Sequence, residues 1–341
     1  MLRALQKRNS VVQSLIHTGQ HYDVNMSEVF FQQLGMPAPD LNLAVGSGTH
    51  ATQTAEIMLR LEPVMLERRP DVVLVYGDVN STVATALVCA KLGVPIGHVE
   101  AGLRSFDRSM PEEINRLVTD QLAELLFTPS QDGDENLLRE GIPAKKIFRV
   151  GNVMIDSLAR LLPAAQQSFA QTSRENVIPE RYVLVTLHRP ANVDDSAVFG
   201  KILDTLLDVD RDLGVVFPAH PRTRKRIEDF KLDVGKLRIV DPLPYVEFLG
   251  LQSRATAVIT DSGGIQEETT YLGIPCFTLR ENTERPITVS MGTNVLVGRD
   301  PEKLHTELSR VLAGEAKKGS VPALWDGHAG ERIADVLTGR C

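Results

Sequence analysis

Apolar runs and amphipathic stretches alternate along the chain from residue 71 onward, with turn residues between them. This alternation is typical of parallel β-strands joined by crossover helices. It predicts strands at 72–76, 94–99, 125–128 and 147–150, and helices at 55–67, at 82–92 and from Pro111 onward. The start at Pro111 follows from the proline and the two glutamates after it, which suit the first turn of a helix.

The alternation lapses around residues 160–180, where a polar stretch predicts a linker. A second series of elements follows, with strands predicted at 182–187, 214–217, 237–240, 257–260, 275–279 and 295–297. A chain of 341 residues suits two cores better than one. The predicted fold class is α/β, with two Rossmann-like, doubly wound domains facing a cleft. Ligands of such sheets bind beyond the carboxyl ends of the strands.

Composition excludes several classes of protein. A net charge of −7 argues against a nucleic-acid surface, which needs a basic stripe, but leaves room for a small anionic ligand. Three widely spaced cysteines (Cys89, Cys276 and Cys341) predict neither a disulfide framework nor a zinc site and fit the cytosol. No apolar run reaches the length of a membrane span, so we expect no membrane partner.

Carboxylates follow two of the predicted strands in the first half. Asp78 comes after the strand that ends at Tyr76, and Glu100 comes after the next strand. Glu112 adds a third acid at the start of a helix. Clustered acids raise one another's pKa, which lets one site hold both a proton acceptor and a proton donor. The alternative is that these acids only cap helices or pair with Arg104 or Arg116.

A glycine-containing turn in the second half has the outline of a phosphate cradle. Residues 261–268 (DSGGIQEE) follow a strand and open a helix, whose free N–H groups suit an anion. Glu268, one turn into the helix, can accept hydrogen bonds from ribose hydroxyls. Arg285 has a planar fork suited to phosphate, although it can equally be a plain surface arginine. An ordinary capped turn is the alternative for the cradle.

Histidine–arginine pairs end two strands of the second half, at His188 with Arg189 and at His220 with Arg222. Either pair can face a diphosphate or be purely structural. Residues 46–51 (GSGTHA) fit a dinucleotide fingerprint on paper, but the acid expected after a second strand is missing, so no nicotinamide cofactor is predicted. The histidines near the N-terminus lack metal-ligand spacing, and no metal is predicted either.

Several unusual segments, in order, resemble the non-hydrolysing UDP-N-acetylglucosamine 2-epimerases. They are residues 18–23 (TGQHYD), 77–78 (GD), 98–104 (HVEAGLR), 111–116 (PEEINR), 151–152 (GN), 186–189 (TLHR), 261–268 (DSGGIQEE) and 283–286 (TERP). The resemblance implies a GT-B-like fold and usually a homodimer. It implies domains at 1–160 and 175–325, with a C-terminal helix at 326–341 that returns to the first domain.

The resemblance also implies roles for single residues. Asp78, Glu100, Glu112 and His188 fall on the family's catalytic residues. UDP-binding roles fall on Ser262, Gly263, Gly264, Glu268 and Arg285, with His220 as a further candidate from its position after a strand. Gln20 and His21 fall beside a second, activating UDP-N-acetylglucosamine site of bacterial members. The implied reaction loses UDP from C1 while a carboxylate removes the C2 proton, and then re-adds UDP to 2-acetamidoglucal from the opposite face.

Two departures from the family pattern leave alternatives open. The family begins with a strand and a Gly-Thr-Arg-Pro-Glu loop that this sequence lacks, so we expect a truncated chain with impaired activity, in which residues 11–17 form a strand. Pro190–Val193 replaces residues common in other members, which leaves the exact UDP-sugar open. A hydrolysing epimerase, a diacetamido-uronate epimerase, a glycosyltransferase and a non-catalytic UDP-sugar sensor are the competing interpretations.

Overall fold

The chain forms two compact units in a computed structural model that describes residues 1–20 and 34–339. Unit 1 comprises Met1–Asp156 and Ala323–Cys341, and unit 2 comprises Ser157–Pro322. Each unit has a parallel sheet flanked by helices, so the predicted α/β class with two Rossmann-like domains is confirmed. Among the helices of the described residues, none has the length and apolar character that crossing a membrane requires.

The strands of unit 1 are β1 (Ile16–His17), β2 (Leu41–Asn42), β3 (Val73–Tyr76), β4 (Ile96–Val99), β5 (Leu125–Thr128) and β6 (Ile147–Arg149). Its helices are α1 (Leu2–Gln6), α2 (His50–Arg68), α3 (Asn80–Leu92), α4 (Pro111–Leu122), α5 (Gln131–Arg139) and the C-terminal α14 (Ala329–Leu337), with a short 3-10 helix at Ala144–Lys146. The main sheet has the order β3-β4-β5-β6, and β1 pairs with β2 apart from it. All these pairings are parallel.

Helix periodicity explains how unit 1 closes its core. On α2, Ile57, Leu61 and Met65 recur at four-residue spacing and are buried together. On α14, Ile333 and Ala334 are buried against the sheet and against α1. Strand β4 is buried along its whole length, as expected for a strand covered on both faces.

The strands of unit 2 are β7 (Tyr182–Thr186), β8 (Gly214–Pro218), β9 (Arg238–Val240), β10 (Ala257–Thr260), β11 (Cys276–Thr278) and β12 (Asn294–Leu296). Its helices include α7 (Pro190–Val193), α8 (Ser196–Val209), α9 (Pro221–Asp229), α10 (Tyr245–Gln252), α11 (Gly263–Leu272), α12 (Pro286–Ser290) and α13 (Pro301–Leu312). Helix α6 (Val153–Glu175) carries the chain from unit 1 into unit 2.

The sheet of unit 2 has the order β12-β11-β10-β7-β8-β9, with every pairing parallel. Strands β8 and β9 therefore follow β7 toward one edge of the sheet, and β11 and β12 follow β10 toward the other edge. The strand order reverses between these two neighbours, and such switch points are where open parallel sheets bind ligands. Thr186 of β7 pairs with Thr260 of β10, so the residues that follow both strands emerge side by side.

The strands predicted within residues 72–150 and 182–297 are confirmed, with ends within two residues of those expected. The linker predicted at 160–180 is wrong, because α6 continues to Glu175 despite Pro163. Leu158, Leu161 and Ala165 are buried at helical spacing, and this stripe outweighs the proline and the polar residues around it. Residues 11–17 form a strand only at Ile16–His17.

Candidate active site

The two acids that follow strands of unit 1 leave the sheet side by side. Tyr76 of β3 pairs with Val99 of β4; Glu100 is the next residue after Val99, and Asp78 comes two residues after Tyr76. A Cβ placed on Gly77 would lie 3.6 Å from the Glu100 Oε2, so the Glu100 carboxylate reaches over the turn that carries Asp78. Glu100 itself has a φ of 75°, an unusual value for a glutamate. Strained residues of this kind cluster at functional sites.

Helix α4 begins with two glutamates that occupy different environments. Glu113 is buried, and its carboxylate accepts hydrogen bonds from the Ser105 N–H (2.9 Å), the Phe106 N–H (2.9 Å) and the Arg116 Nε (3.0 Å). Burial alone would raise the pKa of Glu113, but these donors lower it overall. The Glu112 side chain is partly exposed and has no hydrogen bond or ion pair within the described ranges. Glu113 is therefore the structural acid, whereas the Glu112 carboxylate is not engaged by neighbouring described residues.

Arg116 connects the structural acid to Asp78. Its guanidinium is buried, donates 2.6 Å from Nη2 to Glu113 and forms a close ion pair with Asp78 through Nη1. The Asn115 amide donates to the Asp78 carbonyl over 2.8 Å. The alternative considered for Asp78, a pairing with Arg116, is thus present in the structure. Because Asp78 is still about one-third exposed, it faces a cation without being sealed off.

A buried polar network behind Glu100 was missed from the sequence. Both ring nitrogens of His98 face acceptors, with Nδ1 2.6 Å from Asp120 and Nε2 2.9 Å from the Gly77 carbonyl. Burial would lower the pKa of His98, but Asp120, the Gly77 carbonyl and Glu100 raise it overall. An imidazolium that donates from both nitrogens satisfies this geometry. Arg104 closes the network 2.7 Å from Asp120.

The segment expected beside an activating site contacts the helix that follows Asp78. The Gln20 Oε1 accepts hydrogen bonds from the Ser81 N–H (3.0 Å) and the Ser81 hydroxyl (2.6 Å) at the start of α3. The Gln20 carbonyl accepts from the Gln53 amide, which also accepts from the Asn80 amide over 2.7 Å. His21 lies outside the described residues.

Helix α11 of unit 2 begins at the switch point with an open first turn. Ser262 occupies the N-cap position, but its side chain does not cap the helix. Its backbone N–H donates to the Thr260 hydroxyl over 3.0 Å. Ser262, Gly263 and Gly264 are only partly buried. The Ser262 side chain therefore leaves the N–H groups of the first turn uncapped, an arrangement that suits an anion.

Arg285 lies under this turn between two glutamates. Its Nε is 2.9 Å from the Glu267 carboxylate, and its Nη1 forms a close ion pair with Glu284. A Cβ on Gly263 would come within 2.4 Å of the Arg285 Nη1 and 2.6 Å of the Glu284 Oε1. Glycine is thus needed where α11 begins, because the ion pair occupies the space of any side chain. Arg285 is mostly buried and is not a plain surface arginine.

Glu268 is a buried acid whose hydrogen bonds are incomplete. The Tyr245 hydroxyl donates to its Oε1 over 2.8 Å, whereas its Oε2 has no hydrogen-bond partner among the described residues. Burial raises the pKa of Glu268 to about 7, against the opposing effects of Tyr245 and Gln252. A buried oxygen of this kind can accept a donor from a ligand, such as a ribose hydroxyl.

The two histidine–arginine pairs of unit 2 differ in their surroundings. The His188 Nδ1 lies 3.0 Å from the carboxylate of Asp261, the residue just before Ser262. His220 is exposed, and its Nδ1 accepts the Arg222 N–H at the start of α9, so it caps its own helix. The structure thus brings His188 to the first turn of α11, whereas His220 caps the first turn of α9.

Three residues of these sites, His98, Asp120 and Tyr245, were assigned no role from the sequence. Asp261 stood within a recognised segment, but no role was assigned to it. Sequence spacing gave a signal only for His98, which lies on β4 two residues before Glu100. Asp120 and Tyr245 approach their partners through tertiary packing over 22 and 23 residues.

Comparisons with known proteins agree in the family they indicate. The sequence model of the family described as UDP-N-acetylglucosamine 2-epimerase matches residues 3–338. A UDP-N-acetylglucosamine 2-epimerase of Methanocaldococcus jannaschii is 44% identical over 347 residues, covering 99% of this chain and 94% of that protein. A UDP-2,3-diacetamido-2,3-dideoxy-D-glucuronate 2-epimerase of Pseudomonas aeruginosa is 41% identical over 338 residues, covering 98% and 94%.

The fold is also similar to that of a solved enzyme with ligands. The crystal structure of Methanocaldococcus jannaschii UDP-GlcNAc 2-epimerase in complex with UDP-GlcNAc and UDP matches with a TM-score of 0.90 and 44% identity. The match covers 99% of this chain and 94% of that one. The similarity therefore extends through both units.

Proposed function

This chain belongs to the UDP-N-acetylglucosamine 2-epimerase family and is an isomerase, and we propose that it inverts C2 of UDP-N-acetylglucosamine reversibly, giving UDP-N-acetylmannosamine. The observation that carries the proposal is the side-by-side emergence of Asp78 and Glu100 from β3 and β4, each with its own cationic neighbour. Such an arrangement suits removal of a proton from carbon and its return.

We assign UDP binding to unit 2. The open first turn of α11 lies at the switch point of the sheet and suits the diphosphate, which is anionic and needs N–H donors. Glu268 supplies the ribose contact, which its unpartnered Oε2 supports. Arg285 holds the turn from beneath through its packing against Gly263, and its two glutamates neutralise it. Its part in binding is thus largely indirect.

We assign proton transfer at C2 to unit 1. The C2 proton of the sugar is not acidic because no carbonyl is attached to that carbon. In the proposed elimination a carboxylate takes this proton, the C2–H electron pair becomes the C1=C2 double bond, and the C1–O pair leaves with UDP. The reverse addition, with a proton delivered to the other face of C2, completes the inversion. Neither direction needs an oxidant.

The electrostatics of unit 1 divide the three acids. Asp78 forms an ion pair with Arg116, and Glu100 lies close enough to the buried His98 to help raise the pKa of that imidazole. Glu112 has no such neighbour in the described ranges. We therefore propose Asp78 or Glu100 as the base and Glu112 as the acid best placed to carry a proton.

Proton NMR of the protein mixed with UDP-N-acetylglucosamine tests the proposal. We expect UDP-N-acetylmannosamine to appear until equilibrium is reached, without added NAD or metal. Free N-acetylmannosamine in its place would identify a hydrolysing enzyme, and turnover of only a diacetamido uronic acid would identify the activity named for the Pseudomonas aeruginosa relative. No change in any of these sugars, with tight binding retained, would indicate a sensor.

The variant Glu100→Gln separates chemistry from binding. It removes a proton-transfer group and leaves every contact of unit 2 intact, so we expect turnover to be lost while UDP affinity stays within about threefold of the wild type. Calorimetric titration with UDP measures the affinity. Loss of UDP affinity in this variant would contradict the division of roles between the units.

A further inference from the structure

Asp120 is a buried carboxylate of α4 that contacts the turns after two strands of unit 1. Its side chain is 0% exposed, as is that of His98. Oδ1 of Asp120 lies 2.6 Å from the His98 Nδ1, and Oδ2 accepts a hydrogen bond from the Gly102 N–H over 3.2 Å. The other ring nitrogen of His98 lies 2.9 Å from the Gly77 carbonyl. A continuous chain of buried hydrogen bonds thus runs from the turn after β3, through His98 on β4, to the turn after β4.

Both ring nitrogens of His98 carry a hydrogen. A carbonyl can only accept, so the nitrogen that faces Gly77 must donate. Burial alone would raise the pKa of Asp120, but His98 and Arg104, whose Nη2 lies 2.7 Å away, lower it overall. An ionised carboxylate can only accept, so Nδ1 must donate as well. The ring is therefore an imidazolium balanced by Asp120, and Glu140 balances Arg104 in the same way.

Asp120 helps to hold the backbone around Glu100 in an unusual conformation. Glu100 has a φ of 75°, and Gly102 has a φ of 81°. The Phe127 carbonyl accepts both the Glu100 N–H and the Ala101 N–H, over 3.1 Å each. Asp120 accepts the Gly102 N–H that follows. Because backbone in such regions persists only where surrounding contacts determine it, these contacts set the direction in which the Glu100 carboxylate leaves the sheet.

The helix that carries Asp120 also contacts the other two candidate acids. Its first turn contains Glu112, and its Asn115 amide donates to the Asp78 carbonyl over 2.8 Å. Asp120 lies about two turns further along α4 and reaches the turn of Asp78 through the imidazolium. One helix therefore carries Glu112 and contacts the turns that carry Asp78 and Glu100.

We propose that Asp120 and His98 are positioning residues that hold the three candidate acids of unit 1 in one arrangement. This inference rests on the proposed function. Inversion at C2 needs a proton acceptor on one face of the sugar and a proton donor on the other, so the acids must be aligned at the same time. Folding alone does not call for a charged pair here, because the desolvation of a buried ion pair offsets much of its attraction.

The ratio of two deuterated products measures this alignment independently of how much protein is folded. In heavy water, two aligned acids give UDP-N-acetylmannosamine with deuterium at C2, whereas return of deuterium to the original face gives deuterated UDP-N-acetylglucosamine. We expect Asp120→Asn and His98→Gln to lower kcat per UDP-binding site on the order of 10²-fold. Both variants should also raise the initial ratio of deuterated starting sugar to inverted product.

Thr119→Val is the matched control at the neighbouring buried position of α4. The Thr119 hydroxyl is buried and has no hydrogen-bond partner among the described residues, so this variant should keep kcat and the product ratio of the wild type. Equal losses in the control would overturn the proposal. A lowered melting temperature in Asp120→Asn and His98→Gln, with kcat per UDP-binding site and product ratio unchanged, would also overturn it, because a purely structural pair gives that result.

Histidine side-chain ¹⁵N–¹H correlation spectra of the wild type give a test that needs neither a folded variant nor turnover. At pH 8 an ordinary histidine, with a pKa near 6.5, is mostly neutral, whereas the ring of His98 should keep both hydrogens. Epimerisation by a wild type that shows no doubly protonated ring would refute the positioning pair alone. A doubly protonated ring in a wild type that does not epimerise would refute the proposed function instead.

Discussion

We expect Glu268 to couple nucleotide-sugar binding to proton release. Its pKa of about 7 in the free protein results from burial, with Oε2 lacking a donor. In the proposed complex, two ribose hydroxyls would stabilise the ionised form, so the bound carboxylate should lose its proton. At pH 7, about half a proton per bound ligand is then released by Glu268, and almost none at pH 9, where the group is already ionised. Over the range from pH 8 to pH 6, affinity should fall about tenfold.

Calorimetry in buffers of different ionisation enthalpy measures this proton release. UDP-N-acetylglucosamine is the appropriate ligand because its diphosphate diester has no group that titrates near pH 7, and the Glu100→Gln background removes heat from turnover. The matched variant is Glu268→Gln, which should bind about 1–3 kcal/mol more weakly at pH 8. The difference in protons released between the two proteins isolates Glu268 from nearby histidines. Equal proton release in both proteins would refute the reasoning.

The same group should oppose folding in the absence of ligand. The folded pKa of about 7 lies above the ordinary value of 4.5, so the ionised form is disfavoured on folding. The cost is absent below pH 4.5, grows as pH rises and is complete above pH 7, where it amounts to about 3 kcal/mol. Relative to the wild type, Glu268→Gln should therefore gain stability between pH 5 and pH 8, as measured by thermal unfolding. A difference in melting temperature that does not change with pH would contradict this assignment.

The remaining predictions concern two pairs of matched substitutions. Glu112→Gln should abolish turnover with an unchanged melting temperature. Glu113→Gln should destabilise the fold by about 2–3 kcal/mol, because it weakens buried charge-assisted hydrogen bonds. The reverse pattern would exchange the roles of the two glutamates. Gly263→Ala should weaken UDP binding by about 1–3 kcal/mol because its Cβ displaces the Arg285 ion pair. Gly200→Ala, inside α8 with Leu232 at 3.5 Å, should leave UDP affinity unchanged, and calorimetry of both variants checks this.

The alternation of apolar and polar positions was enough to predict the strands, because nearly every strand here is short, buried and bounded by a turn. It failed at α6, where Pro163 and neighbouring polar residues obscured a helix whose buried stripe is visible only against its packing partners. It also overextended the first strand, which pairs over two residues only. The local pattern of apolar and polar residues thus predicts an element best where turn residues in the sequence mark its two ends.

The candidate sites were predictable where a side chain lies within two residues of the end of a strand. Asp78, Glu100 and His188 meet that condition, and parallel pairing brings the ends of neighbouring strands to the same edge of a sheet. The charges that tune them were not predictable, because Asp120 reaches His98 across 22 positions and Tyr245 reaches Glu268 across 23. Glu112 and Glu113 of α4 are the same residue type, so the sequence alone does not distinguish them. They differ in the structure because the loop before α4 donates hydrogen bonds to Glu113.

Epimerisation in heavy water tests the central claim most directly. If a carboxylate removes the C2 proton and a solvent-exchanged acid returns one, UDP-N-acetylmannosamine formed in heavy water should carry deuterium at C2, with no NAD or metal added. Proton NMR and mass spectrometry of the product measure its incorporation. Full deuteration at C2 is the result the account predicts, and full retention of the original hydrogen, or an absolute requirement for NAD, would contradict it.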